Sequence, residues 1–297
     1  MYSNKSLLYL FLYKNNLNIN VNMNICTAAD ILSKYYLDHI DEFKGECGHN
    51  KLLIGLKENI KYINDDNLKV IGIDVGSCIG DYIQNMDDIC FEHNKKILCF
   101  EPNPINITAL ETKTKTNKNM KLFKHCLSNE TTSTSFYNWM GNDENILGNG
   151  VAGLRSGGSK ICDVLVKKLD DVLDEEFKDE NLIIKFIKID TEGNDGNVIK
   201  GMKKYLPKTK YIIFECSDCL DDIRGPNIKN PMKDIVDFLS NNGFDTYRIG
   251  TKKLFKVNDE YWSQIYDDVK FWSNCFAIKK NDNLIYHLID LNFNYKY

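Results

Sequence analysis

Acidic residues close several apolar runs in this 297-residue chain, where a buried site could use them. Asp74 precedes two glycines in Asp74-Val75-Gly76-Ser77-Cys78-Ile79-Gly80, and Glu101 ends the run 97–100. Asp190 and Glu192 follow the run 183–189 in IIKFIKIDTEG, and Glu215 ends KYIIFE. The runs are rich in β-branched and aromatic residues, as strands covered on both faces are. An acid just past such a strand lies at its carboxyl tip, where open α/β sheets bind their ligands.

The first turn narrows the ligand. Its glycines follow G-x-x-x-G rather than the G-x-G-x-x-G of a dinucleotide site, and no Lys-Ser/Thr follows to make a phosphate loop. Gly76 is expected where a cofactor presses on the backbone. Gly80 is expected to let the next helix pack close, its free N–H groups facing the ligand. Glu101, at the tip of the second strand, is placed to accept both hydroxyls of a ribose. An inward carboxylate at Asp74 suits an ammonium-bearing tail, reached directly or through water. Together these residues point to S-adenosylmethionine; the plainer alternative is any doubly wound domain with glycines in its first turn. Cys126, Leu127 and Ser128, at the end of a third strand over 120–127, are expected to wall the adenine.

Asp190 has two readings. It orients or deprotonates an attacking group, or else it or Glu192 caps the helix expected over 194–206. Alternation puts Lys188 and Asp190 on one face of the strand and Ile189 on the other. Glu215 points at the same edge, within reach of a substrate. No metal is the first expectation, although oxygens from Asp190 with Glu215 or Asp218 would suit magnesium. His125 is an alternative base, with a packed polar side chain the plainer reading. Cys216-x-x-Cys219 lacks a second pair nearby, and Cys47-x-His49 would have to complete a zinc site from far away. The Gly-rich stretch 139–161 is read as a substrate lid carrying Trp139 and Arg155, or else as a surface loop.

The elements that must hold these residues alternate strand and helix from Lys69 onward, which gives an α/β fold with a mostly parallel sheet and helices on both faces. Two helices precede it, over 27–40 and 51–63. The expected organisation is a disordered or hydrophobic segment (1–24), a helical extension (25–66), the main domain (67–280) and a tail (281–297). The apolar run at 7–13 is too short to span a bilayer and no small-residue cleavage site follows it, so a cytoplasmic location is expected, with a signal or anchor role the alternative. Ten cysteines without regular spacing read as free thiols in a reducing compartment. A net charge of −4 argues against a broad nucleic-acid footprint. Oligomeric state is not legible.

The combination of IDVGSCIG, FEPNP, LSN, LDDVL, FIKIDTEGND with VIKGM, and IIFE, in this order from Val70 to Glu215, resembles the FkbM-type S-adenosylmethionine-dependent methyltransferases. IKIDTEG is the most specific piece. The resemblance implies a Rossmann-like class I methyltransferase fold with a reversed last strand, and methyl transfer to a hydroxyl of a sugar, glycan or other small molecule. It implies that the first turn (Asp74, Gly76, Ser77, Gly80) holds the methionine part and Glu101 the ribose, with Ser128 nearby. Asp190 and Glu192 would lie beside the methyl group. Cys78 stands where the family commonly has Asn. Two other functions compete: a methyltransferase of protein or nucleic acid, which lacks support from charge or an Asn/Asp-Pro-Pro motif, and a non-catalytic domain of the same fold, against which the intact acids argue.

Overall fold

The computed structural model describes residues 25–46, 48–139, 152–178, 181–216, 225, 230–269 and 272–289. The apolar run at 7–13, Cys47, Asp218 and Cys219 lie outside them. Helices α1 (Ile25–Asp38) and α2 (His49–Asn59) come first. Strand β1 (Lys69–Val75), α3 (Ile83–Ile89), β2 (Lys95–Phe100), α4 (Pro104–Lys115) and β3 (Met120–Phe123) then alternate. Four strands without helices follow: β4 (Cys126–Leu127), β5 (Thr132–Asn138), β6 (Ala152–Gly153) and β7 (Ser159–Lys167). Alternation returns with α5 (Leu169–Glu176), β8 (Leu182–Ile189), α6 (Asp195–Lys200), β9 (Thr209–Cys216) and α7 (Met232–Asn241). The last elements are β10 (Phe244–Ile249), β11 (Leu254–Lys256), α8 (Ile265–Asp268), β12 (Ser273–Lys279) and α9 (Ile285–Leu288).

Local chemistry explains the boundaries that matter. Asn103 caps α4 by accepting the Ile105 N–H at 3.2 Å, and Pro104 takes the first helical position, where no N–H is needed. On α7, Met232, Ile235, Val236 and Leu239 are buried at helical spacing, and Gly243 follows at φ +84°.

The main sheet has the order β11-β10-β12-β9-β8-β1-β2-β3. From β3 to β9 all neighbours are parallel, whereas β12 runs antiparallel to both β9 and β10. This is the expected Rossmann-like sheet with its reversed last strand. The chain steps outward from β1 to β2 and β3, then returns to the other side of β1 as β8 and β9. Strand order therefore reverses between β1 and β8, and a crevice opens at their carboxyl tips.

Alternate residues face alternate layers. Leu98 and Phe100 join Ile73, Ile187 and Ile189 against α1, α5, α6 and α7. Ile97 and Cys99 join Phe186 and Ile213 against α2, α3, α4 and α9.

Three expectations need correction. The third strand ends at Phe123; Cys126 and Leu127 leave it to pair with β7 in a separate sheet of order β4-β7-β5-β6. In that sheet β5 and the second half of β7 alternate buried and exposed residues, so one face packs on a small cluster of Phe136, Val164 and Val166 while the other meets solvent. The helix expected over 194–206 is regular only as α6, and a 3-10 turn at Leu206–Lys208, containing Pro207, ends the segment. The second helix, expected over 51–63, starts at His49 and ends at Asn59.

Candidate active site

Glu101 and Asp190 meet at one end of the sheet. Val75 is level with Phe100 of β2 and with Ile189 of β8, so the next residues, Gly76, Glu101 and Asp190, leave three neighbouring tips together. A cavity of about 430 Å³ lies beside them, within the range of small-molecule sites. Gly76, Ser77, Glu101, Asp190 and Glu192 line it.

Gly76 is required by the protein itself. Its φ is +77°, and a Cβ there would stand 1.8 Å from the carbonyl oxygen of Asp190. The close approach that excludes a side chain is that of β8, not of a ligand. The turn also uses its own donors. The N–H groups of Gly76 and Ser77 go to the Phe100 carbonyl, that of Cys78 to Glu101, and that of Gly80 to the Ser77 carbonyl. At these positions the turn contributes shape, its N–H groups being taken within the protein. Gly80 matches its expected packing role, because a Cβ would press on Ile83 and Leu110 at 2.7 Å.

Glu101 is 4% exposed. Its Oε2 accepts the Cys78 N–H at 2.7 Å, with Cys78 in a left-handed conformation (φ +49°), and its Oε1 accepts the Asn103 N–H at 2.8 Å. Burial pushes the carboxyl up to about 7, while the two N–H donors favour the ionised form.

Lys188 is the residue that sequence reasoning placed but gave no role. It stands opposite Asp74 across the β1–β8 ladder. Its Nζ lies 3.7 Å from Asp74 Oδ1 and 3.3 Å from Asp190 Oδ2, and it donates to the Gly76 carbonyl at 3.1 Å. Burial opposes the charge on Lys188, but Asp190 and Asp74 outweigh it and hold the ammonium above its usual pKa. Asp74 is fully buried and does not line the cavity. Burial pushes its carboxyl up, and Lys188 draws it back down. Asp74 is thus linked through Lys188 to Asp190, whose side chain is 41% exposed.

Past Asp190 the chain turns sharply. Glu192 and Gly193 take φ of +57° and +88°. Neither Asp190 nor Glu192 is the N-cap of α6; Asn194 holds that position. Asp195, missed in the sequence, braces the tips: its Oδ2 accepts from Thr191 Oγ1 at 2.9 Å and its Oδ1 from the Glu215 N–H at 3.2 Å. Burial, then the charge of Asp190, pushes Asp195 up to about 7. Glu215 lies behind the wall, with a carboxylate oxygen within 4.8 Å of one from each of Asp190 and Glu192.

The opposite wall comes from the small sheet. Cys126, Phe136 and Leu154 pack together and line the cavity with Leu127. Ser128 does not line it; its Oγ bonds Asn194, which does. Trp139 and Arg155 do not line it either. The Trp139 Nε1–H donates to the Arg155 carbonyl at 2.8 Å, and the Arg155 guanidinium donates to the Gly225 carbonyl, so both side chains are engaged with backbone. His125 lines the cavity with Nδ1 3.0 Å from the Cys126 carbonyl, in edge contact with Phe100.

The extension closes the mouth. His49, at the start of α2, lines the cavity and bonds the Tyr82 hydroxyl through Nε2 at 2.8 Å. Burial, with Lys188 nearby, lowers it to about 4, so the ring is neutral near pH 7. His49 is therefore engaged in the cavity, while Cys47 and Cys219 lie outside the described residues. Cys216 instead lies with its Sγ 3.1 Å from that of Cys275.

No curated protein matches the chain. Among solved structures it is similar to the FkbM methyltransferase of Methylobacillus flagellatus KT, with 12% identity over 93% of this chain and 71% of that one and a TM-score of 0.40. It is also similar to the O-methyltransferase TomG of Streptomyces achromogenes, involved in tomaymycin synthesis and solved with S-adenosylmethionine, with 8% identity over 94% of this chain and 100% of that one and a TM-score of 0.41. Likeness at those levels is too slight to carry a family. The family model described as the methyltransferase FkbM domain matches residues 74–246, from the acid of the first turn to within β10. That match takes in more than half of the 297 residues, and the chain belongs to the FkbM methyltransferase family.

Proposed function

We propose that the protein is an S-adenosylmethionine-dependent O-methyltransferase whose acceptor is a hydroxyl of a saccharide or other small molecule. The observation that carries this reading is that Glu101 and Asp190 flank one cavity at the β1/β8 crossover point. The residues present fit the donor. Glu101 is fixed by two backbone N–H groups and retains lone pairs for the ribose hydroxyls. Cys126, Leu127 and Phe136 offer an apolar slot for the adenine. Asp190, with Lys188 and Asp74 behind it, offers a carboxylate to the cationic end.

When bound, the donor supplies an activated methyl carbon: the acceptor oxygen forms the new C–O bond as the C–S bond breaks, and its electron pair stays on sulfur. The protein's own work is to hold the acceptor in line, exclude water and take one proton. Asp190 takes that proton at a carboxylate oxygen, because it is the partly exposed acid at the tip of β8. Lys188 Nζ lies 3.3 Å from it and holds its carboxylate in place. Glu192 lines the cavity beside it, and Glu215 and Asp195 stand behind. Gly76, Ser77 and Gly80 give the turn its shape, and Ser128 supports Asn194 under the adenine wall.

A net charge of −4 favours a small or neutral acceptor over nucleic acid. The free thiols among the described residues, buried Cys90 and Cys99 among them, support a reducing compartment, and we place the protein in the cytoplasm. The test is transfer of labelled methyl from S-adenosylmethionine into separated glycan, small-molecule, lipid, protein and RNA fractions. The expected result is label in the glycan or small-molecule fraction, lost in Asp190→Asn. Label in protein or RNA alone would overturn the acceptor class, and undiminished transfer by Asp190→Asn would remove Asp190 from its role.

A further inference from the structure

We propose that Asp190, Glu192 and Glu215 form a binding site for a hard divalent cation at the acceptor end of the cavity. One carboxylate oxygen from each lies within 4.8 Å of the others. Two oxygens on one ion are separated by at most twice the metal–oxygen distance, about 4.2 Å for magnesium and about 4.6–5.2 Å for calcium. The three oxygens thus surround a point that such an ion could occupy with little side-chain movement.

A second observation is independent of the cluster's acidity. Glu215 is 5% exposed, and its Oε2 is buried without a hydrogen bond. A buried carboxylate oxygen in that condition is costly unless a cation meets it. The neighbouring ammonium does not meet the need: Lys188 Nζ is divided between Asp74 and Asp190. Asp195 adds a further buried acid, and its two oxygens are already taken by Thr191 and the Glu215 N–H.

The donor set selects the ion class. Three carboxylates with no nitrogen or sulfur favour magnesium, manganese or calcium over zinc. Asp190 and Glu192 line the cavity while Glu215 closes the back, so the open coordination positions face the acceptor. An acceptor offering two adjacent oxygens, such as a vicinal diol, would complete the shell and be oriented by it. That role toward the acceptor rests on the methyl-transfer reading; cation binding itself does not.

The probe is manganese(II) alone, titrated into the full chain with free ion followed by electron paramagnetic resonance. The wild type is expected to bind one ion per chain. Glu215→Gln and Glu192→Gln are each expected to weaken binding at least tenfold, with circular dichroism confirming that each variant is folded; if Glu215→Gln does not fold, Glu192→Gln decides. Failure of the wild type to bind, or equal binding by the folded variants, overturns the site. A parallel titration with S-adenosylmethionine in EDTA separates the two readings: donor binding without manganese binding would remove the cation site and leave the methyltransferase reading standing.

Discussion

Glu101 and Lys188 show how much of this site depends on where charge is buried. Glu101 is raised to about 7, yet a ribose is recognised by the ionised carboxylate, so donor binding should release a proton. Affinity for S-adenosylmethionine should rise about tenfold per pH unit on approaching pH 7 from below, then level off above it. Calorimetric titrations from pH 5.5 to 8.5 check this, and Glu101→Gln should bind more weakly with the slope gone. Lys188 acts on stability as well as chemistry. Replacing it with Met leaves Asp74 buried and uncompensated, a change that typically costs about 3–5 kcal/mol, read as a lower urea midpoint. Asp190→Asn, by contrast, should lower turnover at saturating donor by about two to four powers of ten, the usual weight of a general base. Single-turnover transfer with labelled donor measures it.

Elements bring in what single residues cannot. The β8 tip crosses so close to β1 that Gly76→Ala must displace the Asp190 carbonyl; left-handed strain alone adds about 1–3 kcal/mol, and the variant should lose both stability and donor binding. Helix α2 carries His49 into the cavity. Because burial holds that ring at about 4, below the 6.5 of an unfolded chain, the unfolded state takes up a proton between those values and the folded state does not. Its contribution to stability is complete above pH 6.5 and is lost as pH falls toward 4, by up to about 1.4 kcal/mol per unit. His49→Gln should flatten that part of the wild-type profile in denaturation from pH 7 to 4. The strands with acids at their tips were legible in the sequence because a buried run followed by an acid is a local pattern. The roles of Lys188, which needs the β1–β8 register, and Gly76, which needs the Asp190 carbonyl, were not. Runs over 133–137 and 164–166 read as short strands, but their pairing in a second sheet joins segments distant in sequence, which no local pattern announces.

Across the whole molecule, one crossover in strand order gathers acids from β1, β2, β8 and β9 at one end, and the elements before and after the family's region complete the enclosure. Helix α2 packs in the same core layer as α3 and α9 and also lines the cavity, so the extension is structural as well as local to the site. The fold was legible because strand–helix alternation leaves few topologies for a parallel sheet. Less of the site was, since Trp139 and Arg155 turn to backbone carbonyls and Ser128 to Asn194 once packed. The measurement that bears most directly on the whole account is calorimetric titration of S-adenosylmethionine into the wild type and Glu101→Gln at pH 8. One donor molecule per chain, with binding at least tenfold weaker in the variant, is the predicted result. No binding to the wild type, or equal binding to both proteins, would contradict it.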